Sequence, residues 1–113
     1  MTPAIRVVLV TAPVEAAKTL ASTLVEERLA ACVNIVPGVA SVFRWKGEIQ
    51  VEAEHLLVVK TSAERLDALR ARVVELHPYS VPEVVALDAV SVHVPYAEWV
   101  VGETSGAAGD TPE

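Results

Sequence analysis

The chain has 113 residues, 52% of them hydrophobic, and a net charge of -6. That allows one domain with one core, excludes a disordered chain, and argues against nucleic acid as a main partner, since phosphate binding needs a basic surface. No apolar run approaches the length of a membrane span, so no membrane partner is expected. The start is too short and too weakly basic for a signal peptide, and the single Cys32 rules out an internal disulfide; both fit a cytoplasmic protein.

In chain order, Ile5–Thr11 is a β-rich run, apolar at consecutive positions, which predicts a central strand buried on both faces. Pro13 marks a helix start, with Glu15 in the first turn. Val14, Ala17, Leu20, Ala21, Leu24, Val25 and Leu29 form its apolar stripe. Ala31–Thr61 then reads as two strands joined at Lys46-Gly47. About 15 extended residues at roughly 3.3 Å each give an arm of about 50 Å. A compact domain of this length is only about 35 Å across. The hairpin must therefore bend at Pro37-Gly38, or send its tip, with Phe43 and Trp45, onto another chain. Thr61-Ser62-Ala63-Glu64 has capping-box spacing, and the helix after it places Leu66, Leu69, Val73 and Leu76 on one face. His77–Glu83 is a loop stiffened by Pro78 and Pro82. Val84–Val94 reads as a last, edge strand, and Pro95 opens a short helix. Residues 1–101 are expected to form the domain, and Gly102–Glu113 a disordered acidic tail. The order β-α-β-β-α-β predicts an α/β (α+β) ferredoxin-like sandwich with strands one and three central.

Few residues carry obvious chemistry. Cys32 reads as a small buried hydrophobe; no turn or adjacent base would make it a nucleophile. His77 favours a helix C-terminus electrostatically, yet it leads into the loop bearing Tyr79 and Glu83, a plausible wall for a ligand cleft. Glu54 and Lys60 share strand parity, so a cleft beside them could take a cation through His77 and carboxylates or an anion through Lys60. Cys32 would face the same side as Glu54 only if Pro37-Gly38 forms a bulge. No phosphate loop, zinc-protease motif or nucleophile elbow is present, so no enzyme is expected.

Thr11-Ala12-Pro13, the run Val25–Gly38, Trp45-x-Gly47, Glu54, Lys60-Thr61, His77-Pro78-Tyr79-x-Val81-Pro82-Glu83 and Tyr96-x-x-Trp99 together resemble the CutA divalent-cation tolerance family, over roughly residues 5–101. The resemblance implies a PII-like ferredoxin fold and a homotrimer whose long hairpins, with Phe43 and Trp45, pair between subunits. It also implies a non-enzymatic role in metal tolerance, with copper or a similar divalent cation as ligand and no required cofactor. The alternative is a structural or signalling trimer that binds a protein partner or small anion. Copper-associated members can carry a cysteine and a second histidine where this chain has Val10 and Leu76, so of that set only His77 is retained. The candidate metal ligands are His77, Glu54 and Cys32; Lys60, Tyr79 and Glu83 are the candidate cleft residues.

Overall fold

A computed structural model describes residues 3–105. Four strands form one antiparallel sheet in the order β2-β3-β1-β4, with two helices packed on one face and the third, C-terminal helix against one end of the other. The strands are β1 (Ile5–Pro13), β2 (Cys32–Trp45), β3 (Glu48–Ser62) and β4 (Val85–Asp88). The helices are α1 (Val14–Glu26), α2 (Leu66–Leu76) and α3 (Val94–Thr104), with a single 3-10 turn, Ala63–Arg65, before α2. This is the ferredoxin-like βαββαβ arrangement with a long β2–β3 hairpin and a C-terminal helix, and β1 and β3 are central as expected.

The core lies between sheet and helices. Val8, Val10, Leu57 and Val59 project from the central strands against Ala17, Leu20 and Leu24 of α1 and Leu69 and Val73 of α2. A smaller cluster joins Ile5 and Ala31 to Ala97 and Val100 of α3. Arg72 clamps α2 to the end of α1, donating from Nε and Nη2 to the two carboxylate oxygens of Glu27, each at 2.8 Å. That paired bond, more than the charge alone, holds the Glu27 carboxyl below its usual range.

Several local expectations are corrected. The apolar runs of β1 and β3 are not buried on both faces within this chain: burial alternates along them, and the face away from α1 and α2 is only half covered. Val14, Val25 and Leu76 are exposed rather than part of their helices' buried stripes. The capping box does not form. Thr61 is still in β3, and its hydroxyl donates to the Leu29 carbonyl at 2.7 Å, a long-range bond unavailable to local spacing rules. The last strand ends at Asp88, and α3 begins at Val94. The chain does not come loose at Gly102 either. The helix runs on to Thr104, which is fully buried and donates to Ser62 Oγ at 3.1 Å. The rest of the expected tail, 106–113, lies outside the described residues.

The hairpin bends at Pro37-Gly38, and its tip stands away from the core. Lys46 and Gly47 both have positive φ, 51° and 82°, the backbone of a tight primed turn that matches strand twist. Between Val36 and Val39 the register shifts, because Pro37 and Gly38 together oppose His55. Gly38 sits at φ 77°, where a side chain would be strained, and the strand bends. Beyond this bulge the arm leaves the core. The domain measures 47 × 30 × 22 Å, longer than a compact chain of this size, and Val42, Ile49 and Val51 at the tip are each at least 60% exposed.

Candidate functional site

The main cleft, about 700 Å³, opens where the loop after α2 meets the hairpin arm. The register explains its composition. Past the bulge, Val39 pairs with Glu54, Ser41 with Glu52, Phe43 with Gln50 and Trp45 with Glu48. Directly paired residues share a face, so the arm presents aromatic and acidic side chains together toward the loop. The loop answers with Tyr79, Ser80, Val81 and Glu83, and β1 contributes Thr11. Tyr79 and Glu83 lie on the loop side of this cleft. Phe43 and Trp45, expected at a subunit interface, line the cleft and are partly exposed in the single chain.

A relay of hydrogen bonds sets the loop. His77, at the end of α2, is 6% exposed. Its Nε2 lies 2.7 Å from the Thr11 carbonyl, and its Nδ1 accepts the Tyr79 N–H at 3.1 Å. These partners assign the neutral ring with its proton on Nε2. Tyr79 packs its ring on the imidazole, centroids 4.7 Å apart, and its hydroxyl donates to Glu54 Oε2 at 2.7 Å. Burial, then that bond to the Glu54 carboxylate, then the charges of Glu54, Glu52 and Glu15, push the Tyr79 hydroxyl up to about 12. Thr11 Oγ1 approaches Glu83 Oε1 at 3.5 Å. Glu54 itself is 3% exposed, and no lysine or arginine pairs with it among the described residues.

The proposed metal ligands are not gathered together. Both His77 nitrogens are engaged by main-chain groups, which leaves no lone pair for a metal without breaking the loop's anchor. The bulge does turn Cys32 to the same sheet face as Glu54, but Cys32 pairs with Lys60. Lys60 is separated from Glu54 by about 20 Å of strand at roughly 3.3 Å per residue. Lys60 and Cys32 therefore belong to the other end of the sheet. There Asn34 Oδ1 accepts from the Lys60 ammonium and lies 3.8 Å from Cys32 Sγ. Burial, followed by the nearby Cys32 thiol, raises the Tyr96 hydroxyl at that end. Among the described residues no group of three or more His, Cys, Asp or Glu could hold a metal ion directly. The sequence reading treated shared parity as proximity; parity names a face, not a distance. The sequence singles out neither Thr11 nor Gln50, whereas the even spacing of Glu48, Glu52 and Glu54 puts these three on one strand face, with a hard-cation site as the rarer alternative to simple solvation. His55, whose Nδ1 is buried and has no hydrogen-bond partner among the described residues, faces the side of α1 and α2 and is not part of the cleft.

The family profile described as CutA1 divalent ion tolerance protein matches residues 6–103. The chain belongs to the CutA1 family. Among CutA relatives, the divalent-cation tolerance protein CutA of Thermus thermophilus is 53% identical over 95 residues, 83% of this chain and 92% of its own length. The chloroplastic CutA 1 of rice is 50% identical over 99 residues, 87% of this chain but 56% of that longer protein. The solved CutA1 structure from rice superposes with a TM-score of 0.89 at 47% identity, covering 94% of this chain and 98% of that one. A structure described as the PII-like protein CutA of Nostoc superposes at 0.85 with 39% identity, covering 88% and 97%. The CutA fold is therefore shared along nearly the whole described chain.

Proposed function

We propose that this chain forms a non-catalytic homotrimer acting in divalent-cation tolerance, and that the cleft between arm and loop is its cation seat. The observation that carries this reading is Glu54. It is a buried carboxylate lining the cleft, satisfied on one oxygen by Tyr79 and by no basic side chain among the described residues. Burying a carboxylate without a counter-charge is costly, and a cation bound beside it offsets that cost. Glu52 and Glu83 add charge to the same opening. A divalent ion that keeps part of its water shell suits such a wide, carboxylate-lined space better than a bare ion needing several direct ligands. Copper(II) is the first ion to try. On this reading Glu54, not His77 or Cys32, supplies its anionic partner.

The trimer reading rests on apolar surface left open. Val36, Leu87 and the arm's Val42, Ile49 and Val51 stand exposed in one chain, and a second copy would cover them. A cytoplasmic location is part of the same reading; no helix among the described residues is long and apolar enough to cross a membrane. Calorimetric titration of the intact protein with copper(II), then magnesium, tests the seat. Binding weakened about tenfold or more in Glu54→Gln and retained in Cys32→Ser supports it. Binding unchanged in Glu54→Gln moves the seat elsewhere.

A further inference from the structure

We infer that the cleft also receives an organic ammonium cation, held by aromatic faces as well as by charge. This rests on the reading of the cleft as a cation seat. It adds a ligand class that family membership and the metal argument do not supply. Three features of the cleft point to it. The first is size: about 700 Å³ is the volume of a small-molecule site and far exceeds one ion. The second is chemistry: Glu52, Glu54 and Glu83 share the wall with Phe43, Trp45 and Tyr79, and among the described residues no lysine, arginine or histidine lines it. Aromatic faces attract a cation through their quadrupole, and they favour weakly hydrated alkylammonium groups that cover the ring as they bind. The third is Glu54, a nearly fully buried acid with one oxygen taken by Tyr79 and the other accepting no hydrogen bond among the described residues. A bare metal ion would leave the three rings unused, and a neutral apolar ligand would leave Glu54 uncompensated. An ammonium carrying methyl or methylene groups satisfies both.

The arm's register accounts for this pairing. Phe43 opposes Gln50 and Ser41 opposes Glu52, so ring and carboxylate alternate on one face of a two-stranded ribbon. Tyr79 is held against Glu54 by its hydroxyl, and the His77 relay fixes its backbone. The ring and acid nearest the base of the cleft are thus preorganised before a ligand arrives.

The test uses the full-length protein with Trp99→Phe, which leaves Trp45 as the sole indole reporter. Choline is titrated against Trp45 fluorescence, with its uncharged carbon isostere 3,3-dimethylbutanol as control. Copper(II) and magnesium are titrated separately by calorimetry on the unmodified protein. The expected result is saturable quenching or shift with choline, at least tenfold weaker with the isostere, and at least tenfold weaker in Glu54→Gln. Because Glu54→Gln could loosen the fold, Glu83→Gln at the rim is a second variant, expected to weaken choline a few-fold with an unchanged melting curve. Divalent binding without choline binding overturns this inference and leaves the cation seat standing. Loss of both overturns the seat as well, as it would if a basic side chain of a neighbouring copy already filled it. Equal binding of choline and the isostere shows an apolar groove and rejects the ammonium.

Discussion

Thr11's carbonyl and Tyr79's amide take both nitrogens of His77, so this histidine works as a joint between β1, α2 and the loop. Replacing it by alanine leaves two buried main-chain groups without partners, at about 1–3 kcal/mol for each group left unsatisfied. His77→Ala is therefore expected to lower the melting temperature and weaken ligand binding together. His77→Asn, which can donate to one of the two groups, should recover part of both; thermal unfolding and calorimetry on the two variants check it. Tyr79 carries a second prediction. Its hydroxyl is raised from 10.0 to about 12 in the folded chain. A raised pKa means that this stabilisation is fully present below the unfolded value and is lost as pH rises through the folded one. Stability should thus fall between about pH 10 and 12, and Tyr79→Phe should remove that component of the alkaline fall. Urea unfolding across this range measures it. At neutral pH the same substitution costs about 1–2 kcal/mol, since a charged acceptor loses its donor. None of this wiring was legible in the sequence. The motif His77–Glu83 announced a stiff loop with Tyr79 and Glu83 on it, and that was right. A helix-ending histidine that bonds a carbonyl sixty-six residues away leaves no local trace.

At the scale of elements, periodicity served well where a helix or strand packs on its own chain, and failed where the partner is remote. The buried positions of α1 emerged from three-and-four spacing because the sheet beneath them belongs to the same fold. The capping box failed because Thr61 stays in β3 and its hydroxyl donates to the Leu29 carbonyl instead of accepting from a local amide. The end of α3 was misread because Gly-Glu-Thr looks like a tail, while burial of Thr104 against Ser62 depends on tertiary packing. The consequence is measurable. A chain ending after Ser105 should melt with the full-length protein, whereas one ending after Val101 should be destabilised. Thr104→Val should cost about 1–2 kcal/mol, because Ser62 loses a buried partner. At the hairpin, Gly38→Ala meets no atom within 4 Å, so its cost is conformational, about 1–2 kcal/mol, and should appear in chemical unfolding.

For the whole molecule, the sequence held more than one chain can show. The consecutive apolar residues of β1 and β3 read as buried on two faces, yet α1 and α2 cover only one and α3 only an end of the other. On the proposed trimer the discrepancy has a physical meaning: the composition matches an assembled state in which the second face is covered too. The arm adds to this, carrying Val42, Ile49 and Val51 away from the core. Sedimentation at micromolar concentration is expected to give a single trimeric species, and Val51→Lys on the arm should shift it toward smaller, less stable species. A stable folded monomer of the unmodified chain would refute the assembly. What could not be read was distance along the sheet, which separates Lys60 and Cys32 from the cleft although they share its face.

The extra residue at Pro37-Gly38 has one more consequence. On either side of it every residue of β2 faces its partner on β3 squarely, Val36 with Leu56 and Val39 with Glu54. Removing one of the two leaves both ladders in register and joins them into one. No side chain changes sides, so the cleft keeps its list of residues; only the elbow is lost. Aim and content are therefore separate properties of this arm, one written in a single surplus residue and the other in the alternation around it. A chain lacking Pro37 should fold with the same residues facing the cleft but point its arm along a different line, and should fail to seat against a neighbour while keeping its own core.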